Sequence, residues 1–324
     1  MQKRTKALTE AALTTTIIAI VGLSSMYIPL LSLMVFFTFV PLIVLGKKHG
    51  FKYAAISLVA SALIIGMFAG PIYAISLIIL LGSSSLIMGW LLHKEKPTAT
   101  VIGAGAVAAL ISMVLVIAFG QMITGIPLID SIKTIFEESI KMQQSIFEKL
   151  GTDPTKVKET INNLTKSRDQ ILLIIPGAFI VWSVISTYIN YFLAIKILKR
   201  SGEKVPEITP FRDFMLPKNV LIGTIVIYFL SLFASYMNIV DPKVLMANVQ
   251  VVIVYTYAIQ GVSVTLWYMY RKKMNTFLKV IIIGFVLLSA VGSIIFFMIG
   301  VTEIAISIRK RIEFRDQIRQ ERLK

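Results

Sequence analysis

ILLIIPGAFIVWSVISTYINYFLAIKIL, residues 171–198, decides how this chain must fold. These 28 residues carry one formal charge, Lys196, near the end of the run. At about 1.5 Å of rise per residue, such a run is long enough to cross the roughly 30 Å hydrocarbon core of a bilayer as a helix. A helix is the form required, because backbone groups away from water must satisfy one another. Residues 98–122, TATVIGAGAVAALISMVLVIAFGQM, carry no charge at all. Comparable runs occupy 8–26, 29–46, 53–69, 72–92, 220–237, 244–270 and 277–301, and 56% of the chain is hydrophobic. The reading is an all-α protein, a polytopic transmembrane helical bundle of eight or nine spans.

Charge placement orients it. Lysine and arginine outnumber the acids 33 to 17, a net charge of +16. Lys3, Arg4 and Lys6 precede the first run; Lys47, Lys48 and Lys52 follow the second, and Lys94 and Lys96 the fourth. Lys199, Arg200, Lys204, Arg212 and Lys218 follow the sixth, and Arg271, Lys272 and Lys273 the eighth. Every second connection is basic, which by the positive-inside rule puts the N-terminus in the cytoplasm and residues 124–170 outside. The tail breaks the alternation: nine spans would place Arg309, Lys310, Arg311, Arg315 and Arg319 outside. Either the tail departs from the rule, or one segment does not fully cross. The run 29–46, bracketed by Pro29 and Pro41, is one that could be broken. The positive charge suits anionic lipid headgroups and needs no nucleic-acid partner.

Four regions follow. Residues 1–200 form a six-helix membrane bundle that includes an outer hairpin at 124–170. Residues 201–219 are a cytoplasmic linker, 220–308 the C-terminal transmembrane helices, and 309–324 a basic tail. In the hairpin Ile129, Ile132, Phe136, Ile140, Ile146 and Phe147 recur at helical spacing, Gly151 ends the first arm, and Asp153-Pro154 opens the second. An amphipathic hairpin there reads as a lid, as a partner-docking element, or as a pair of helices lying on the headgroups.

Polar residues within spans are costly and tend to face the bundle interior. Ser183, Thr187 and Asn190 share one helical face; Thr224, Tyr228, Ser231 and Ser235 make a second stripe, and Thr256, Gln260 and Ser263 a third. Two accounts stand. The stripes join helices by hydrogen bonds worth about 0.6–2 kcal/mol each, or Ser183, Thr187, Asn190, Tyr228 and Gln260 line a pocket for a small polar or amphipathic molecule. Ala7 and Ala11 form a small-residue face on which another helix can pack closely. Glu10 lies near the membrane boundary, within reach of the headgroups.

Other chemistry is disfavoured. The chain has no cysteine, and its two histidines, His49 and His93, sit beside lysines at segment ends, so no metal site is expected. There is no phosphate-binding G-x-x-x-x-G-K-[ST] loop, no H-E-x-x-H, no G-x-S-x-G and no paired intramembrane carboxylates. No catalytic residue and no cofactor is assigned.

TKALTEAAL at 5–13, YIPL at 27–30, GKKHGFK at 46–52, PFRDFMLP at 210–217 and GVTE at 300–303 followed by IRKR at 308–311 together resemble the YybS-like family of bacterial inner-membrane proteins. The resemblance runs along the whole chain. It implies a bacterial plasma membrane and brings no activity with it. The first six segments are also similar to the substrate-binding subunits of energy-coupling-factor vitamin importers. That likeness implies that Ala7 and Ala11 meet a coupling subunit and that a small molecule is bound. Two functions follow from these readings: a small-molecule-binding or transport component without its own ATPase, or a non-transporting scaffold or regulator that docks a membrane or cytoplasmic protein.

Overall fold

A computed structural model describes residues 2–28, 31–151, 153–207, 209–237, 239–289 and 291–321, and helix is the only regular structure among them. In chain order the helices are α1 (Gln2–Tyr27), α2 (Ser32–Val35), α3 (Phe39–His49), α4 (Phe51–Ala69), α5 (Pro71–His93), α6 (Thr98–Thr124) and α7 (Leu128–Lys149). They continue with α8 (Pro154–Arg200), α9 (Asn219–Tyr236), α10 (Pro242–Arg271), α11 (Thr276–Leu288), α12 (Gly292–Ile306) and α13 (Ile308–Glu321). Seven of them, α1, α4, α5, α6, α8, α9 and α10, are long and apolar enough to cross a membrane. The protein is a polytopic helical membrane protein.

The boundaries follow local chemistry. Asp153 caps α8 by accepting from the Thr155 N–H at 2.8 Å, and Asp241 caps α10 through the Lys243 N–H at 2.8 Å. In both cases a proline stands at the first helical position, where its missing donor costs nothing. The α4–α5 turn uses Gly70 at φ +86°, followed directly by Pro71.

Two of the nine expected segments are broken, so the count is seven single helices, or eight with the last segment taken as one span. The run 29–46 becomes α2, a 3-10 turn at Phe36–Thr38, and α3. Pro41 accounts for the turn: its ring crowds the carbonyl four residues back, at Phe37, and it has no N–H to close the α-helical bond. The run 277–301 becomes α11 and α12, bent by 107°. The second arm of the hairpin, expected as a separate helix, is continuous with the sixth span, and together they form the 47 residues of α8.

The chain divides into two compact units. The first is Met1–Arg168 with Trp182–Ile208, and the second is Asp169–Val181 with Thr209–Lys324. In the first, α1 packs on α4, and α5 packs against α3, α4 and α6. Ile43, Met88, Leu92, Ile195 and Leu198 are buried in one core cluster, and Ile18, Leu42, Ile65 and Leu81 in another. A Cβ on Gly46 would lie 2.9 Å from the Gly89 Cα, so α3 and α5 approach at backbone contact.

In the second unit α10 packs on α12 and α9. Here the crossing is closer still: a Cβ on Gly300 would lie 1.9 Å from the Tyr257 carbonyl oxygen, and one on Gly261 would lie 1.9 Å from that of Phe296. Asn248 of α10 joins the opened turn of α8 at Pro176. The Gly177 N–H donates to its Oδ1 at 2.5 Å, and its Nδ2 donates to the Leu173 carbonyl at 2.7 Å. The Asn248 side chain thus bonds both an N–H and a carbonyl of the turn that contains the proline.

Candidate functional site

A buried ion pair organises the second unit. Glu303, near the end of α12, and Arg309, in the first turn of α13, are 2% and 4% exposed. Between them Ser307 adopts the left-handed conformation, φ 53° and ψ 56°, which ends α12 and turns the chain back on itself. The Arg309 Nε donates to Glu303 Oε1 at 2.9 Å, and the Arg309 backbone N–H donates to Oε2 at 3.2 Å. The other two guanidinium nitrogens reach the linker: Nη1 donates to the Arg212 carbonyl and Nη2 to the Phe214 carbonyl, each at 2.9 Å.

Phe211–Asp213 form a 3-10 turn and residues 214–217 are irregular, and α10 supplies further partners to this stretch. The Ser263 hydroxyl donates to the Phe214 carbonyl at 2.9 Å, and Gln260 Oε1 accepts from the Leu216 N–H at 2.8 Å. The Arg212 guanidinium sits 3.6 Å from the centroid of the Tyr270 ring, a cation–π contact. Asp316 on α13 pairs with Arg271 at the end of α10. Linker, α10, α12 and α13 are therefore fastened at one node, and each nitrogen of the Arg309 guanidinium group has an acceptor. The node is a latch rather than an open binding site.

The expected pocket residues separate. Ser183, Thr187 and Asn190 lie in the first unit, each about 2% exposed or less. Gln260 is 1% exposed in the second unit, and Tyr228, also there, is 44% exposed. The first stripe is tightly packed: a Cβ on Gly105 of α6 would lie 2.8 Å from Thr187 Cγ2 and from Met88 Sδ. Asn190 Nδ2 donates to the Ser186 carbonyl at 2.9 Å, and the neighbouring Tyr191 hydroxyl pairs with Thr98 at 2.9 Å. Thr187 Oγ1 and Asn190 Oδ1 are buried with no hydrogen-bond partner. In the second stripe, Ser231 Oγ donates to the Tyr228 carbonyl at 2.7 Å, and Tyr257 donates to Thr224 Oγ1 at 2.9 Å.

Residues 16–304 match the family described as predicted membrane protein, DUF2232. The chain belongs to this family. It is also 24% identical to the uncharacterized protein YybS of Bacillus subtilis (strain 168) over 321 residues, which is 96% of this chain and all of the relative. No solved structure matches it. Neither the DUF2232 description nor the relative's name states an activity.

Other sites of this DUF2232 member are now placed. Ala7 and Ala11 are 3% and 5% exposed, and Ala11 packs with Leu45 and Ala54. Their face is closed by helices of the same chain. Glu10 does not reach for the headgroups alone: its carboxylate accepts from His49 Nε2 at 3.1 Å and pairs with Lys48 at 3.4 Å, tying α1 to the end of α3. His93 Nδ1 lies 2.8 Å from the Lys47 carbonyl, a second tie at that end. Among the described residues no group of three metal-ligating side chains comes together. A groove of about 360 Å³ between α4 and α5 is lined by Ala62, Gly66, Met67, Ala74 and Ile78, an apolar surface suited to an acyl chain.

On the hairpin, α7 and the start of α8 run antiparallel. Glu137 pairs with Arg168 at 3.4 Å, and a cleft of about 390 Å³ lies between Gln144 and Glu148 on one arm and Val157 and Ile161 on the other. No residue of α7 is buried, and Ile135, Met142 and Ile146 are exposed along it, with Leu150 just beyond its end.

Sequence reasoning missed Asn248; it quoted Glu303 only within a family motif and Arg309 there and as a charge of the basic tail. An acid in the otherwise uncharged run 280–306, with an arginine six residues on, was the signal available.

Proposed function

We propose that this protein is a non-catalytic resident of a bacterial plasma membrane that docks a partner protein through its outer hairpin, with the broken segment α2–α3 crossing as one span so that the N-terminus and tail both face the cytoplasm. The continuity of α8 carries the reading. Its 47 residues extend about 70 Å, against roughly 30 Å of hydrocarbon core. Residues 154–170 therefore stand about 25 Å beyond the span, with α7 upright beside them. A hairpin lying on the headgroups needs a break between arm and span; the one proline, Pro176, falls inside the apolar run instead. The stripe of Ile135, Met142, Ile146 and Leu150, 62%, 68%, 45% and 73% exposed, then faces water, and contiguous apolar surface in water marks an interaction site.

The polar stripe of α10 supports this choice, because Gln260 and Ser263 are engaged by the linker. A second reading, binding or transport of a small polar molecule, is favoured by the unpartnered Thr187 Oγ1 and Asn190 Oδ1.

The test places a photo-crosslinking residue at Met142. A discrete protein adduct on cells, removed by Ile135→Asp with Ile146→Asp, is expected. Adducts to lipid alone would put the hairpin on the headgroups and overturn the proposal. A small molecule that co-purifies with the protein, and is lost on Asn190→Leu while the adduct pattern stays the same, would favour the second reading. Orientation is checked in the cysteine-free chain: Lys149→Cys should react with an impermeant reagent on intact cells, and Ser201→Cys should not.

A further inference from the structure

We infer that α13 is a lipid-docking helix, which lays Lys310, Arg311, Phe314 and Arg315 on the anionic headgroups of the leaflet from which the linker and the end of α10 emerge. The argument begins with where the helix is held. Arg309 fixes its first turn to the linker carbonyls of Arg212 and Phe214, and Asp316 fixes its third turn to Arg271. The linker and the turn after α10 are two basic connections of the charge alternation, so they belong to one side of the membrane. The 107° bend between α11 and α12 lets the last apolar segment return to the side on which it began. That resolves the side of the tail, which the charge pattern leaves open.

The chemistry of the two faces follows the same division. At 100° per residue Arg309, Ile312 and Asp316 share the face turned to the protein. Lys310, Arg311, Phe314 and Arg315 share the opposite one. The second group is exposed, with Phe314 63% exposed between basic side chains. Asp316 is turned away and paired with Arg271, Glu313 lies at the border of the two faces, and Glu321 falls on the outward face only at the end of the helix, so over residues 310–315 that face is basic and aromatic. That is the composition an in-plane helix presents to an anionic surface. Each basic residue near such a surface favours the docked state by about fivefold, and three of them by roughly a hundredfold. The latch makes the docking economical, since the helix is already ordered and oriented before it meets lipid.

The experiment uses the full-length protein. Gln317→Cys, at the edge of that face, carries an environment-sensitive dye in nanodiscs of phosphatidylcholine alone or with phosphatidylglycerol. On phosphatidylglycerol discs the emission should shift to the blue and access to an aqueous quencher should fall. Both changes should reverse in about 1 M salt, where the screening length drops to about 3 Å. Lys310→Gln with Arg311→Gln and Arg315→Gln should make phosphatidylglycerol discs behave like neutral ones. These three side chains are exposed, so an unchanged melting temperature certifies the fold. Equal quenching in both lipids at low salt overturns the inference: high access means the helix is free in water, and low access means protein covers it.

Discussion

In the first unit helices meet over apolar side chains and small residues, with Gly46 against Gly89 and Ile43, Met88 and Ile195 in the core; in the second they meet over a buried ion pair and backbone carbonyls. The three clusters of buried apolar residues found among the described residues all fall in the first unit. The contrast has a physical origin. Lipid is as apolar as a leucine side chain, so helices in a bilayer gain little from hydrophobicity and associate through close contact and polar bonds. The helices of the first unit satisfy their own backbones, and their serines and threonines bond mainly to carbonyls of their own helix, as Ser186 and Asn190 do. The second unit contains residues 214–217, an irregular stretch between the 3-10 turn at Phe211–Asp213 and α9. Arg309 and Ser263 donate to the Phe214 carbonyl and Gln260 accepts from the Leu216 N–H, so polar residues of the α10 stripe bond the linker.

The largest effect that can test this contrast lies at the ion pair. Removing one partner of a buried pair strands the other and costs about 3–5 kcal/mol. Arg309→Leu should therefore lower the melting temperature in detergent more than any single change in the first unit. Combining it with Glu303→Leu should recover part of the loss, because no charge is then left buried alone. A double variant no better than the single would mean that the carbonyls of Arg212 and Phe214, rather than Glu303, set the value of Arg309.

An intermediate effect is expected at the N-terminal face of the first unit. Ala7→Leu with Ala11→Leu overpacks α1 against neighbouring helices, at about 1–3 kcal/mol. A lower melting temperature with an unchanged set of co-purifying proteins is the outcome that an internal contact requires. An unchanged melting temperature with a lost partner would show that the face opens to another protein.

The smallest effect belongs to Asn190→Leu. Its Oδ1 has no partner to lose, and its Nδ2 makes one bond, so the change should cost below about 1 kcal/mol. A larger loss of stability in the purified protein would mean that Oδ1 is engaged by something that co-purifies with it.

Length and composition made the membrane spans readable, since any run of this apolarity has to be helical in lipid. The aspartate–proline pair at 153–154 marked a helix start for the local reason that it caps α8; the same pair at 241–242 caps α10. The broken segments were half legible: Pro41 pointed to one, while the α11–α12 bend depends on α12 lying against α10. The polar stripes were visible as stripes. Their purpose was not, because a periodic pattern states which face is polar and does not say what the face meets.

By itself, then, the sequence determined a polytopic helical bundle, its capped helix starts and the alternation of its basic connections, all of which depend on residues near one another in the chain. Only the tertiary structure decided that Ala7 and Ala11 close on their own bundle, that the pocket candidates divide between two units, and that Glu303 and Arg309 hold the linker. Those outcomes turn on partners such as Leu45 for Ala11 and the carbonyls of Arg212 and Phe214 for Arg309, which lie tens of residues away. Burial and hydrogen bonding are properties of such pairs, and a pair separated that far in sequence leaves no periodic trace.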